Sequence, residues 1–391
     1  MELVVSADVA LVIFGYLAPQ ELVAMEQTCR RFQLLVVTNR IWKPLYSALY
    51  PISRFNLLRG RTTWKQVFVD KCNQQLGWKK GTARCVLSQI AHTDGINAIA
   101  AQKSLGPYAN LFATCSFDRT VKVWRKPTTV MSDTATLCTL AGHQNAVWSL
   151  AWGPSPSDLY SASFDGTIRR WDVTTAVNTR VLWANADRLL CMVIEHDNVW
   201  TGSLTGHLIQ WTNSSSNPAI GRIQCVTPCI SSLQKYNHLL YVGGVKHLEI
   251  WDDRYLVAPV ALFKGHEQAI MSMAMFSSDI VMTVSKDGTL KGWDATGSDP
   301  TPLLDVRVHS AAVRSIATCD DLVVTSSNDS TVRLWQASSK WSQKSSVVGC
   351  LTRLDGLHVH TKQVPSVDMD ECHLYTASCD STMTIHEYTI P

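Results

Sequence analysis

Short stretches in which apolar and polar residues alternate recur along residues 84–391. In Thr331-Val332-Arg333-Leu334-Trp335, for example, apolar and polar side chains alternate, and Asn, Asp and Ser precede the stretch. This pattern predicts short β-strands joined by tight turns. The first 50 residues differ, because Val9, Ile13 and Leu17 recur at a helical spacing, and we expect three short helices there.

Tryptophan marks a repeat in the strand-rich region. The recurring positions are Trp124, Trp171, Trp211, Trp251, Trp293 and Trp335, and His386 stands where a seventh would fall. Their spacing is about 40–50 residues, which suits one four-stranded blade of a β-propeller. From the span of residues 84–391 we predict seven blades, of which the third and fourth depart from the pattern.

Most repeats also contain a His, a hydroxyl residue and an Asp at fixed offsets before the Trp. In the second repeat these are His143, Ser161 and Asp165, followed by Trp171. A His, a Ser and an Asp could form a hydrolase triad. An enzyme needs one such site, however, and this chain repeats it five times. We therefore interpret the set as a buried structural network in which Asp accepts from His and Trp donates to the hydroxyl.

These residues resemble the WD-repeat family, whose defining dipeptide occurs as Trp171-Asp172, Trp251-Asp252 and Trp293-Asp294. The resemblance covers residues 84–391 and implies a mainly β fold, a seven-bladed propeller. It also implies that residues 84–88, Arg-Cys-Val-Leu-Ser, supply the outermost strand of the last blade and close the ring.

The N-terminal segment resembles an F-box, on Asp8-Val9, Ile13-Phe14, Tyr16-Leu17, Pro19, Glu21-Leu22, Cys29 to Phe32 and Ile41-Trp42. The Leu-Pro pair that usually opens the motif is replaced by Val5-Ser6. The predicted organisation is an all-α F-box at 1–50, a helical Trp-containing stalk at 51–83 and the propeller at 84–391. The adaptor-binding residues implied by the resemblance are Val9, Ile13, Phe14, Leu17, Pro19, Leu22 and Trp42.

Charge and cysteine content argue against several classes of function. Residues 1–80 hold 11 Lys and Arg against 5 Asp and Glu, whereas the remainder holds 24 against 27. The total charge of +3 gives no support to nucleic-acid binding. The 12 Cys show no metal-ligand or disulfide spacing, so we expect reduced thiols, no metal, no cofactor and a cytoplasmic or nuclear location. No apolar stretch is long enough to predict a membrane span.

The domain order implies a non-catalytic substrate-recognition subunit of an SCF-type ubiquitin ligase. The F-box would dock on a Skp-type adaptor bound to a cullin, and the propeller would hold the target protein. An alternative is a WD-repeat scaffold without ligase function. Purification of the bound proteins would separate the two hypotheses.

The family also suggests where the target binds. In WD-repeat propellers, the position five residues after each His and the position before each turn Asp lie on one face near the channel. The predicted target-binding residues on that face are Phe117, Arg119, Trp148, Phe164, Met271, Lys286 and Arg314. Aromatic residues in one sector and cations in another favour a target with an apolar anchor and an acidic or phosphorylated group. The competing interpretation is that the aromatics only pack between blades.

Overall fold

A computed structural model describes ten stretches of the chain. They are residues 84–103, 110–126, 136–183, 187–212, 219–297, 299–320, 322–337, 351–357, 360–370 and 373–387. The predicted F-box and stalk, residues 1–83, lie outside this part, so their helices and boundaries stay predictions. Within the ten stretches the secondary structure is β throughout, as the alternating pattern predicts.

Five sheets are antiparallel four-stranded blades, which we label A to E. Blade A comprises β2 (Ile96–Ala101), β3 (Leu111–Ser116), β4 (Thr120–Arg125) and β5 (Thr136–Ala141). Blade B comprises β6 (Val147–Trp152), β7 (Asp158–Ser163), β8 (Thr167–Asp172) and β9 (Val177–Trp183). Blade C comprises β10 (Leu189–Glu195), β11 (Asn198–Ser203), β12 (His207–Thr212) and β13 (Ala219–Gln224).

Blade D follows later in the chain. Blade E combines the first described strand with the last three described strands. Blade D comprises β21 (Val313–Cys319), β22 (Leu322–Ser327), β23 (Val332–Ala337) and β24 (Leu351–Leu357). Blade E comprises β25 (Ser366–Met369), β26 (His373–Ala377) and β27 (Thr382–Glu387), completed by β1 (Arg84–Ile90).

The prediction of seven separate blades is wrong. Besides the five blades, the described residues form one continuous sheet of seven strands. Its strands are β14 (Ser232–Tyr236), β15 (Leu239–Gly243), β16 (Val245–Asp252), β17 (Ala261–Met275), β18 (Ile280–Ser285), β19 (Thr289–Asp294) and β20 (Leu304–Arg307). The 15-residue strand β17 pairs with β16 through its first part and with β18 through its last.

The two halves of this sheet are joined at Val245, which stands where the complete repeats carry the turn Asp. In the complete repeats the turn Asp at this position binds the loop that precedes its own blade. Val245 instead pairs with Ala269 of β17, next to a bulge before His247. The amide of Ile270 donates to the carbonyl of Gly244 at 3.0 Å. These backbone contacts join the start of β16 to the middle of β17, and β17 continues unbroken from one half of the sheet into the other.

The sheets form a ring around a channel. The innermost strands contact one another in sequence, β2 with β6, β6 with β10, β10 with β14, β14 with β17, β17 with β21, β21 with β25 and β25 with β2. Hydrophobic clusters lie between neighbouring sheets, and Trp171 of blade B packs with Leu111 and Val123 of blade A in one of them. Burial between blades is therefore the main source of stability of the fold.

The predicted ring closure is confirmed. Strand β1 pairs antiparallel with β27, with Cys85 opposite His386 and Leu87 opposite Ile385. Val86 and Leu87 are buried, whereas Ile90 at the end of the same strand is 77% exposed. The first and last described strands thus share a sheet, which leaves no unpaired gap in the ring.

Candidate target-binding face

Each complete repeat contains a buried chain of hydrogen bonds. In blade B, His143 Nδ1 donates to Asp165 Oδ2 at 2.9 Å, and Ser161 Oγ lies 2.7 Å from His143 Nε2. The Trp171 indole donates to the same Ser161 oxygen at 2.8 Å. The predicted structural network is confirmed here, and because Ser161 is fully buried it cannot reach a substrate as a nucleophile.

The same network recurs in three other repeats. They are His92, Thr114, Asp118 and Trp124; His266, Thr283, Asp287 and Trp293; and His309, Thr325, Asp329 and Trp335. In blade E, His386 replaces the Trp, and the hydroxyl of Thr376 bonds to Thr384 at 2.5 Å instead. Each network ties a turn to the loop before the first strand, which fixes the face on which both lie.

Electrostatics keep the carboxylates of these networks ionised. Burial raises the pKa of Asp287, but hydrogen bonds from Thr289 and the charge of His266 outweigh it and hold the pKa at about 2. Burial lowers the pKa of His266, more than Asp287 raises it. At neutral pH the pair is therefore a neutral imidazole donating to a carboxylate, as the hydrogen-bond pattern requires.

In blade C and in the first half of the seven-stranded sheet, other residues form the buried hydrogen bonds that the His, hydroxyl, Asp and Trp form elsewhere. In blade C, Asp187 accepts from Thr205 at 2.5 Å and from His207 at 3.2 Å, so the carboxylate comes from the loop and the imidazole from strand β12. In the joined sheet, the fully buried Glu249 accepts from the Trp251 indole at 3.0 Å and from the Thr227 amide at 2.6 Å.

A repeated backbone hydrogen bond defines what we call the turn face. In blade A the amide of Phe117, before the turn, donates to Gly95 in the leading loop at 3.0 Å, and Phe164 donates to Ala146 in blade B at 3.0 Å. Equivalent bonds hold Leu204, Lys286, Asn328 and Cys379. The turn face is thus the end of the propeller where turns and leading loops meet.

The central channel opens on the turn face and has a volume of about 500 Å³. Five of the seven predicted target-binding residues line it: Trp148, Phe164, Met271, Lys286 and Arg314. Asn97 and Pro365, which occupy the same strand position as Trp148, line it as well. Phe117 and Arg119 do not line the channel, although Phe117 contacts Trp148. The sequence pattern therefore placed most of these side chains around one opening, while their role in binding stays a prediction.

The aromatic residues form a stack across blades A and B. Trp148 and Phe164 lie parallel with ring centroids 4.5 Å apart, and Phe117 meets Trp148 edge-on at 5.6 Å. Phe117 is 39% exposed, and the other two are partly exposed. The rings thus pack between blades, as the competing interpretation has it, and also present an apolar surface to solvent.

The opposite wall of the channel carries the cations. Arg314 is half-buried, and its desolvation lowers the pKa of the guanidinium, although an arginine stays charged at neutral pH. Lys286 is exposed at its turn. Among the described residues that line the channel, none is Asp or Glu. This wall therefore favours a negatively charged ligand group.

Among the channel residues that the sequence analysis did not predict are two leucines of blade C. Leu190 and Leu204 of blade C line the channel, and Leu204 is 40% exposed. Blade C lacks the His and the turn Asp from which the other positions were counted. Counting seven residues back from Trp211 would have found Leu204, because Phe117 and Phe164 precede their own Trp by the same distance.

The predicted adaptor-binding residues lie outside the described part of the chain. They are Val9, Ile13, Phe14, Leu17, Pro19, Leu22 and Trp42. Within the described stretches, no three His, Cys, Asp or Glu side chains are grouped as metal ligands. Those same stretches contain no helix with the length and hydropathy of a membrane span.

Two family models match the chain. The family described as WD domain, G-beta repeat matches residues 83–125, 135–172, 257–294 and 300–336. The family described as F-box-like matches residues 7–48. The four WD matches are the repeats with a complete His, hydroxyl, Asp and Trp network. The chain therefore carries an F-box-like domain and WD40 repeats, the domains of a protein-interaction adaptor.

Curated relatives share the WD-repeat character at low identity. The chain is 25% identical over 267 residues to "Ribosome biogenesis protein WDR12 homolog" of Nematostella vectensis, covering 58% of this chain and 62% of the relative. It is 26% identical to "WD repeat-containing protein 1" of Gallus gallus, covering 51% and 33%. It is 26% identical to "Periodic tryptophan protein 2" of Arabidopsis thaliana, covering 62% and 22%. The chain spans less than two thirds of each relative.

Proposed function

We propose that the protein is a non-catalytic substrate-recognition subunit of an SCF-type ubiquitin ligase. The observation that carries the proposal is the F-box-like match at residues 7–48 ahead of WD40 repeats on one chain. An adaptor site and a target site on one chain raise the effective concentration of the target near the conjugating enzyme. Its partners would be a Skp-type adaptor, a cullin and a protein target, in the nucleus or the cytoplasm.

The target would bind on the turn face. Trp148 and Phe164 offer an apolar wall, and Lys286 and Arg314 offer positive charge on the other side of the same channel. A single half-buried Arg suits one acidic or phosphorylated group beside an apolar anchor. Met271 also lines the channel, on the strand next to the one that precedes Lys286, and would contact the anchor.

A second candidate is a WD-repeat scaffold without ligase function. The missing Leu-Pro pair at Val5-Ser6 favours it, because that pair opens the F-box motif. The relatives named for ribosome biogenesis favour a scaffold in that process. In this version the turn face would bind an assembly partner rather than a target for ubiquitination.

Affinity purification of the full chain, followed by mass spectrometry, tests the two functions. A ligase subunit should recover both a Skp-type adaptor and a cullin, and Leu17→Asp combined with Leu22→Asp should abolish both. Val257→Asp, at a residue that is 94% exposed in the propeller, is the matched control and should change nothing. Recovery of preribosomal proteins without adaptor or cullin would favour the scaffold and overturn the ligase proposal.

Substitutions on the turn face that reduce capture of the target would then locate the target-binding site. Trp148→Ala and Phe164→Ala should each weaken target binding by about 2 kcal/mol, as aromatic anchors do. Arg314→Glu should weaken it similarly and make the remaining binding less dependent on salt. Target capture that survives all three changes, with an unchanged circular dichroism spectrum, would exclude the turn face.

A further inference from the structure

The residue seven positions before each repeat Trp occupies the same turn, and its chemistry divides the turn face into two sectors. In blades A, B and C this residue is apolar: Phe117, Phe164 and Leu204. In the remaining turns it is Gly244, Lys286, Asn328 or Cys379. The amide of this residue bonds to the leading loop in every one of these turns except that of Gly244, whose amide bonds to His247. Among the other six turns, the difference between the sectors therefore lies in the side chains.

The apolar side chains of blades A to C share one sector of the turn face, which we call the apolar arc: Phe117, Trp148, Phe164, Leu190, Leu204 and Val226. Aromatic contacts join the first three. The Leu204 amide donates to the Arg188 carbonyl at 2.9 Å, and the Arg188 side chain lies against Phe164, so Leu204 of blade C lies next to the aromatic stack. Val226, which is 58% exposed, follows Cys225, whose amide bonds to Gly206 beside Leu204.

Two arginines border the arc. The guanidinium of the exposed Arg188 lies 5.6 Å from the centroid of the Phe164 ring. A guanidinium can donate two parallel hydrogen bonds to one carboxylate. Arg119 is exposed in the turn next to Phe117. In the part of the chain that the structure describes, neither guanidinium forms an ion pair. Exposed arginines beside aromatic and aliphatic side chains are the composition of protein interfaces.

We propose that the apolar arc is the docking site of an acidic amphipathic protein segment, whose row of apolar side chains covers Phe117 to Val226 while its carboxylates meet Arg119 and Arg188. This deepens the target-binding role proposed for the turn face and rests on it, but it does not depend on adaptor binding. It extends the site beyond the channel, from one apolar anchor to several.

Charge decides between an acidic protein segment and a nucleic acid. Residues 81–391 hold 24 Lys and Arg against 27 Asp and Glu, so the propeller as a whole does not attract a polyanion. The arginines at the arc are separate single charges, which match spaced carboxylates. The exposed side chains that link them are aliphatic as well as aromatic, and Leu204 and Val226 offer no surface for base stacking.

Fluorescence anisotropy on the full-length protein tests the docking site with synthetic peptides of about 20 residues. The first has a stripe of Leu and Phe flanked by Glu, the second replaces every Glu by Lys, and the third is a scrambled version of the first. The acidic amphipathic peptide should bind at least about 10-fold more tightly than the other two. Comparable binding of the scrambled or the basic peptide would overturn the proposal.

Four variants locate the peptide. Leu204→Asp and Val226→Asp should each weaken binding at least about 5-fold, since they place a charge in the contact. Arg119→Gly should weaken it about 3-fold without disturbing the turn, because Arg119 has a φ of 71° where Gly166 and Gly288 stand in other repeats. Val257→Asp, in the loop after β16 at the strand ends opposite the turn face, should have no effect. Unchanged binding to Leu204→Asp would overturn the proposal.

Further measurements separate a carboxylate ligand from a phosphorylated one and a protein ligand from a nucleic acid. A peptide with phosphoserine for Glu that binds while the Glu peptide does not would overturn the carboxylate assignment, and preferential binding of single-stranded oligouridylate would overturn the protein assignment. Adaptor recovery by Leu204→Asp should equal that of the unmodified chain. Peptide binding without adaptor recovery would support the docking site and overturn the ligase proposal. Adaptor recovery without peptide binding would support the ligase proposal and overturn the docking site.

Discussion

Blades B and C have the same four-stranded form, yet they satisfy their buried polar groups differently. In blade B the carboxylate of Asp165 comes from the turn, and His143 is nearly inaccessible to solvent. In blade C the carboxylate of Asp187 comes from the loop, and the side chain of His207 is 25% exposed. The comparison teaches that the fold requires a hydrogen-bonded link between turn and loop, which several residue combinations can provide.

Glu249 extends the comparison to a third arrangement. It stands two residues before Trp251 on the same strand, and it accepts the indole N–H that a hydroxyl accepts in the complete repeats. It also accepts two backbone amides from the loop at residues 226–227. A single carboxylate thus replaces a hydroxyl, an imidazole and a turn Asp.

The largest effect should come from the strand on which both kinds of blade depend for closure. Val86→Asp combined with Leu87→Asp would bury two unpaired carboxylates between β1 and its neighbours, which should cost about 4 kcal/mol or more of the free energy of unfolding. Ile90→Asp on the same strand is the control and should cost less than about 0.5 kcal/mol, because Ile90 faces solvent. Thermal unfolding followed by circular dichroism measures both, and equal melting temperatures would contradict closure by β1.

The next largest effect should come from Glu249. Glu249→Ala leaves the Trp251 indole and the Thr227 amide buried without an acceptor, which should cost about 3–5 kcal/mol. Glu249→Gln keeps one acceptor oxygen and should cost about half as much. The midpoint of urea unfolding, monitored by tryptophan fluorescence, gives both values. A loss below about 1 kcal/mol for the alanine variant would mean that water replaces the carboxylate.

A smaller difference should separate the turn carboxylate from the loop carboxylate. Asp165→Ala should cost about 2–4 kcal/mol, because it leaves a buried His143 donor unpaired. Asp187→Ala should cost about 1–2 kcal/mol, because His207 and Arg222 are partly exposed and water can take its place. Parallel urea titrations decide the order. If Asp187→Ala destabilises as much as Asp165→Ala, blade C is as rigidly linked as blade B.

The regular repeats could be predicted from sequence because each needs a residue at a fixed distance from its Trp. The spacing placed the complete networks, and five of the seven predicted target-binding residues line the channel. The closing strand followed from the family resemblance. It could not find Asp187 or Glu249, because their carboxylates reach the same point in space from different places in the chain. It also could not foresee the joined sheet, since the pairing of Val245 with Ala269 leaves no periodic signal.

The smallest effect we predict is a dependence of stability on pH, which comes from three buried histidines of the repeats. Burial lowers the pKa of His266, His309 and His360, so between pH 6.5 and their folded-state values the unfolded chain binds more protons and stability falls as pH falls. The turn carboxylates, with pKa values of about 2 for Asp287 and Asp329, add a further loss only below about pH 4. The melting temperature should therefore fall by roughly 2–5 °C between pH 7.5 and 6.0 at constant ionic strength. His309→Gln should melt at a lower temperature at pH 7.5 but show a shallower decline, because one titrating group is gone. A melting temperature that stays constant across this range would mean that the imidazoles accept protons as readily in the folded protein as in the unfolded chain.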